Sequence, residues 1–167
     1  MSHRHPPRLH SSVYIGAAQY FLTICCDNRR ALLNDDECRQ LVLNELRRTS
    51  SDLRFAVIAY CLMPDHLHVV CEAEEDGCDF QEWVRLFKQR TAFEWKKRTG
   101  ERLWQSSYHD HVLRGTESTR QVVRYLLENP VRAALVKWPG DYPHSGSLTC
   151  SHEELIEWVF GWNRADT

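Results

Sequence analysis

The stretch "LRFAVIAYCLMPDHLHVVCE", Leu53 to Glu72, decides how this 167-residue chain folds. Its first part, Leu53–Met63, is a long apolar run rich in strand-forming residues. Pro64-Asp65 is a turn signal, and "HLHVVCE" then returns, so the stretch predicts a β-hairpin. Side chains alternate along a strand, so His66 and His68 share one face while Leu67 points to the other. Their imidazoles would stand about 6–7 Å apart at the base, a spacing from which both can lean onto one metal ion. An isolated H-x-H is equally at home as a pair of hydrogen-bonded histidines. Two nitrogens also leave a coordination sphere unfilled, so further ligands must come from elsewhere in the chain.

Upstream, "YFLTICC" (Tyr20–Cys26) reads as a strand. In "NDDECRQLVLNELRR" Asn34 can cap a helix whose first turn holds Asp35, Asp36 and Glu37, with Cys38, Leu41, Val42 and Leu46 on one face. Downstream, Asp79 and Glu82 form a capping box for "FQEWVRLFKQRTAFEWKKR". Phe80, Trp83, Val84 and Phe87 are its buried stripe and Gly100 closes it. "YHDHVLR" (Tyr108–Arg114) predicts another strand ended by Gly115, "STRQVVRYLLENP" a helix stopped by Pro130, and "HEELIEWVF" a short last helix. The order β-α-β-β-α-β-α predicts an α+β fold, a ferredoxin-like antiparallel sheet with helices packed on it. One domain over residues 1–167 is expected, with 1–13 as a loose basic arm and 138–167 as a C-terminal extension.

A hydrophobic share of 43% with six tryptophans excludes a disordered chain. The formal charge of −2 announces no nucleic-acid partner. Between Asp79 and Arg132, however, eleven Lys/Arg face seven Asp/Glu, just after an acidic knot of Glu72, Glu74, Glu75, Asp76 and Asp79. On charge alone that is an ordinary solvated surface. The seven cysteines contain no C-x-x-C, which argues against a zinc ribbon or a dithiol redox motif and for small core residues in a reducing compartment. "MSHRHPPRLH" has no apolar signal core and no apolar run approaches a membrane span, so a soluble cytoplasmic protein is expected.

The predicted helix Gln121–Asn129 gives the histidines possible company. Val122 with Leu126, and Val123 with Leu127, make an apolar stripe, beside which run Gln121, Tyr125 and Asn129, four apart and all polar. Tyr125 thus borders the buried face with an amide one turn on. As plain structure it is an amphipathic tyrosine with its hydroxyl toward water. As chemistry, a phenol and a carboxamide projecting together could serve as nucleophile and oxygen ligand at one metal site.

"MPDHLHVV" followed downstream by "YLLENPVRAALV" resembles the single-tyrosine (HUH) transposases of the insertion-sequence-200 type, and more narrowly the REP-associated tyrosine transposases. "YFLTICCDNRRALL", "LFKQRTAFEW" and "LWQSSYHDHVLR" stand in the expected order, and the resemblance spans roughly residues 8 to 148. It implies an HUH endonuclease fold, with His66 and His68 as metal-binding histidines, Tyr125 as the catalytic tyrosine and Asn129 as third ligand, where some relatives carry glutamine. It also implies Mg²⁺ or Mn²⁺ as cofactor and single-stranded DNA next to hairpins as partner. The reaction it implies is cleavage through a 5′-phosphotyrosine that leaves a free 3′-hydroxyl. Ligand type alone would admit Zn²⁺ as well. Monomer and homodimer both stay open.

Lys88, Arg90, Lys96, Lys97, Arg98 and Arg102, with Arg124 and Arg132, are expected to gather as a phosphate-facing surface. Arg4 and Arg8 in the arm are further candidates for DNA contact, since relatives use that region so. Phe87, Phe93, Trp95 or Trp104 could stack on unpaired bases, although helical spacing accounts for several of them as core. A second H-x-H, His109 and His111, offers a rival metal pair or a supporting role. Two other classes remain: a metal-dependent hydrolase using water, and a domesticated protein that binds hairpins without cutting.

Overall fold

The structure is a computed structural model that describes residues 14–16, 18–114 and 118–161. The predicted basic arm with Arg4 and Arg8, and Gly115, lie outside the described residues. Strands β1 (Gln19–Cys25), β2 (Phe55–Met63), β3 (His66–Ala73), β4 (His109–Leu113) and β5 (Ser145–Gly146) form one antiparallel sheet in the order β4-β1-β3-β2-β5. Helix α1 (Asp36–Leu53) joins β1 to β2, and α2 (Phe80–Thr99) joins β3 to β4. The β1-α1-β2 crossover with β3 inserted between its strands is the split βαβ of a ferredoxin-like fold. Three further helices, α3 (Thr119–Leu127), α4 (Asn129–Arg132) and α5 (His152–Phe160), follow β4.

Each sheet face has its own core. On the first, Tyr20, Leu22 and Ile24 of β1 and Leu67, Val69 and Cys71 of β3 pack with Leu41, Val42 and Leu46 of α1 and Phe80, Trp83, Val84 and Phe87 of α2. On the second, Ala59, Cys61 and Met63 of β2 and Val70 of β3 meet Val123, Leu126 and Leu127 of α3 and Leu155, Ile156 and Val159 of α5. Strand β2 serves both because its register shifts between Val57 and Ala59: Val57 belongs to the first core and Ala59 to the second. An extra residue there reverses which parity faces which side.

The boundaries differ from the sequence expectation at four places; at the first, Asp35 and not Asn34 caps α1, its Oδ1 accepting from the Cys38 N–H at 2.8 Å. α1 runs on to Leu53 because its polar end is spent on α2: Trp83 Nε1 donates to Ser50 Oγ at 3.2 Å and Arg90 Nη1 to Thr49 Oγ1 at 3.2 Å. Arg54, in the left-handed region at φ 60°, then turns the chain into β2. Pro130 does not stop the helical path. It sits in the first turn of α4, where a missing N–H leaves no bond broken, and the helical path resumes at Asn129 and runs to Arg132. β5 has no counterpart in the sequence expectation. Its Gly146 lies against Tyr60, whose hydroxyl would be 2.8 Å from an added Cβ, so a larger residue there would have to displace the end of that side chain.

Cys25, Cys26, Cys38, Cys61, Cys71 and Cys78 are buried free thiols, as expected of core residues, and Cys150 is exposed. Among the described residues no helix is long and apolar enough to cross a membrane. The first core is organised by Phe80, fully buried and stacked on Tyr20 with centroids 4.1 Å apart and planes within 5°. Phe80→Ala should therefore lower unfolding free energy by about 3–5 kcal/mol, read from urea denaturation followed by far-ultraviolet circular dichroism.

Candidate active site on the second sheet face

Antiparallel pairing puts opposed residues on the same face. Thr23 opposes His68 on one side and His109 on the other, Cys25 opposes His66, and Phe21 opposes His111. Both H-x-H pairs and the alternate residues of β1 thus line the second face, the one away from α1 and α2. The sheet supplies the floor of the site and α3 its wall.

The His66 and His68 rings meet edge-to-face, with centroids 4.6 Å and Nε2 atoms 3.0 Å apart. Each ring's other nitrogen is already engaged: His66 Nδ1 lies 2.6 Å from Asp65 Oδ1, and His68 Nδ1 lies 2.8 Å from Thr23 Oγ1. Asp65 is itself held by Arg29, whose Nε is 3.0 Å from Oδ2, while Arg29 Nη1 donates to Cys25 Sγ at 2.8 Å. Arg29 is delivered by two consecutive left-handed residues, Asn28 (φ 52°) and Arg29 (φ 55°). Non-glycine residues in that region cost about 1–3 kcal/mol each and persist where surroundings enforce them.

Asp65 fixes the proton of His66 on Nδ1, which turns the Nε2 lone pair toward His68. Burial, then the charges of His66, Arg132 and Arg29, lowers the His68 pKa to about 3. The ring is therefore neutral at physiological pH, the form that ligates a metal. Two imidazole nitrogens facing each other at 3.0 Å, with carboxylate and hydroxyl partners behind them, make a donor set that fits a divalent cation. Among the described residues no group of three or more His, Cys, Asp or Glu gathers that could hold a metal, so a third protein ligand would have to be of another type. Asn129 is such a residue. Its Nδ2 donates to the Leu126 carbonyl at 3.2 Å and the Tyr125 carbonyl at 3.4 Å, so its Oδ1 is not used in those bonds.

Tyr125 stands on α3 where Val123, Leu126 and Leu127 are buried, so helical spacing leaves its own side chain 53% exposed. Phe21 connects it to the histidines: its ring lies 5.4 Å from His68, nearly parallel, and 6.3 Å from Tyr125, edge-on. From the other side the Arg132 guanidinium sits 4.2 Å from the Tyr125 ring centroid, and its Nη2 donates to the Tyr125 carbonyl at 2.7 Å. Glu128 ties this end together through Arg124 at 3.0 Å and Arg132 at 3.6 Å.

The other expected DNA-contacting cations lie elsewhere. Lys88 on α2 donates to the carbonyls of Gln105 and Ser106 at 2.8 and 3.0 Å. Arg90 pairs with Asp52 at 2.8 Å. Lys96 and Lys97 occupy the exposed last turn of α2, on the helix layer that covers the first face. Trp83, Phe87, Trp95 and Trp104 are core, whereas Phe93 is 65% exposed. Sequence reading missed Phe21, Thr23 and Arg29. The first two were legible in principle, since "YFLTICC" alternates and any strand pairing with β3 must place one parity beside the imidazoles. Arg29 gave no signal, because its place depends on an unusual backbone.

The chain belongs to the family described as "Transposase IS200 like", whose profile matches residues 15–129. Within known proteins it is similar to the REP-associated tyrosine transposase of Escherichia coli K12, 29% identical over 133 residues, 79% of this chain and 78% of that protein. It also matches the structure of a REP-associated tyrosine transposase bound to a REP hairpin, with TM-score 0.71 and 26% identity over 85% of this chain and 82% of that one. A crystal structure from Deinococcus radiodurans R1 matches with TM-score 0.50 and 24% identity over 70% of this chain and 92% of that one, which speaks to the fold alone.

Thr23 holds a buried imidazole nitrogen. Thr23→Val, which keeps the shape and removes the hydroxyl, should cost about 1–3 kcal/mol of stability by stranding that nitrogen. Thr23→Ser should restore most of it, both measured by denaturant unfolding of chelator-treated protein.

Proposed function

We propose that this chain cuts and rejoins single-stranded DNA beside hairpins, through a covalent 5′-phosphotyrosine on Tyr125. The observation that carries the reading is the shared environment of phenol and imidazole pair: one Phe21 ring packs against both Tyr125 and His68. The similarity to a REP-associated tyrosine transposase bound to a REP hairpin supports hairpin DNA as the partner.

In the forward step the Tyr125 oxygen attacks phosphorus and loses its proton to solvent. A tyrosyl O–P bond forms, the bond to the 3′-oxygen breaks, and that oxygen leaves as a 3′-hydroxyl after taking up a proton. Rejoining is the reverse, with a 3′-hydroxyl displacing the phenol, so no nucleotide cofactor is consumed. Tyrosine suits such reversibility because its phenol is a far better leaving group than an aliphatic alcohol. Mg²⁺ or Mn²⁺, held by His66, His68 and the Asn129 carboxamide, would supply charge neutralisation on a non-bridging phosphate oxygen.

The protein's own residues supply orientation. Asp65 and Thr23 hold the two rings with their Nε2 atoms converging, and Arg29 holds Asp65. Arg132 pins the α3 end that bears the nucleophile and adds a positive charge beside it. Phe21 and Arg132 both pack against the phenol ring, contacts that would help to orient it for attack.

Incubation with a 5′-labelled hairpin oligonucleotide carrying an unpaired flank should release a labelled fragment and leave the downstream piece on the protein, seen as a shifted band on a denaturing gel. Tyr125→Phe should reduce that adduct at least about a thousandfold while hairpin binding persists. His66→Ala should lose it as well. Cleavage that survives Tyr125→Phe but not His66→Ala would mean that water is the nucleophile. Binding with no cleavage in any divalent ion would mean that the protein holds hairpins without cutting them.

A further inference from the structure

Two features of the sequence take no part in the strand-transfer chemistry: the second H-x-H of β4, and Gln121 at the head of the polar stripe that continues through Tyr125. His111 of that pair and Gln121 line one cleft. Its walls are Phe21, His111, Ser118, Gln121, Val122 and Tyr125, around a volume of about 260 Å³. Phe21 and Tyr125 meet there edge-on at 6.3 Å. The same Phe21 ring also packs against His68, 5.4 Å away between centroids, which places the cleft one ring from the imidazole pair.

We propose that this cleft seats one unpaired nucleobase of the strand being cut, next to the scissile phosphate. The inference rests on the strand-transfer reading and adds a residue-level source of sequence preference to it. Its chemistry matches an uncharged planar ring. Among the described residues no Lys, Arg, Asp or Glu forms its walls, so they carry no formal charge to neutralise a phosphate. Its aromatic and aliphatic walls offer flat carbon surface, and single-stranded bases bind proteins by stacking on such surface. The rim carries an amide on Gln121, a hydroxyl on Ser118 and an imidazole on His111, groups that read the edge of an unstacked base. The volume falls below the roughly 300–1,000 Å³ of pockets that take drug-sized ligands, which suits a single base. A nucleotide seated there keeps its phosphate one sugar away, within reach of the Tyr125 side chain that forms part of the wall. The cleft therefore both selects a base and brings the adjoining phosphodiester to the nucleophile.

The test uses the full chain and hairpins whose flanks are first selected from a randomised pool by binding to Tyr125→Phe. The fluorescent base 2-aminopurine is then placed at each unpaired position in turn, and an abasic site likewise. One position should show quenching on binding, and an abasic site there should weaken binding roughly tenfold. Val122→Trp, which fills the cleft, should remove both effects. Gln121→Ala, at an exposed position that does not burden the fold, should relax the base preference at that position alone. A flat response along the flank overturns the proposal, as does Val122→Trp that retains native circular dichroism and still quenches. The two readings fail separately. Adduct formation with a flat probe response removes the base cleft and keeps strand transfer. Quenching without any adduct keeps the cleft and removes strand transfer.

Discussion

The pairing register of β1 against β3 is the constraint on which the rest of this structure depends. Cys25 opposes His66 and Thr23 opposes His68, so the two imidazoles fall on the face where β1 presents Phe21, Thr23 and Cys25. A slip of one residue would exchange the faces. His66 and His68 would then enter the core occupied by Phe80, Trp83 and Phe87, while Leu67 and Val69 would line the site. The apolar burden of the first face fixes the register strongly, because Leu67, Val69 and Cys71 are all buried against α1 and α2. Folding energy and site geometry are thus the same choice, made once, by alternation along a central strand.

The second face works differently because it is only partly filled. α3 has nine residues and buries Val123, Leu126 and Leu127, while Arg120 and Arg124 reach toward α5, Arg120 Nε donating to the Val159 carbonyl at 3.2 Å, and Gln121 faces the cleft. Tyr125 falls at the boundary, one helical step from the buried row. α5 covers the far end of the face, with Arg124 lying 5.2 Å over Phe160. What stays uncovered is the strip between β4 and α3, and it is there that Phe21, His111 and Tyr125 meet. A longer α3 with a wider apolar stripe would have made a better core and no site.

Much of this is legible from residues alone. The hairpin around Pro64-Asp65, the order of the first seven elements, the stripe of α2 and the shared face of His66 and His68 all follow from local periodicity. Of the polar stripe expected on one helix, Gln121 and Tyr125 stand exposed on α3, whereas Asn129 opens α4 beyond the break at Glu128. Tertiary pairing hides the rest. Lys88 and Arg90 look like surface cations in sequence, yet the first is consumed by backbone carbonyls and the second by Asp52 and Thr49. Charge counting cannot see such partners. In sequence Asp65 is half of a turn signal, and its bond to His66 emerges only when the strand begins at the very next residue. β5 is two residues long, too short for any periodic signal.

Net charge misleads here for a related reason. A chain of formal charge −2 can still meet phosphate with positive charge if the cations that matter stand at the site. Arg29 lies on the Asp65 side of the imidazole pair and Arg132 on the Tyr125 side. Neither is neutralised by an isolated partner. Arg29 shares Asp65 with His66, and Arg132 shares Glu128 with Arg124. Both also contribute, after burial and His66, to holding His68 in its neutral form. The same two guanidinium groups that flank the imidazole pair and the phenol therefore oppose protonation of the His68 ring. Positive charge near the imidazole pair thus helps to keep His68 unprotonated. Separation makes the compromise work: each arginine is anchored to an acid or to a helix end and does not sit between the two Nε2 atoms.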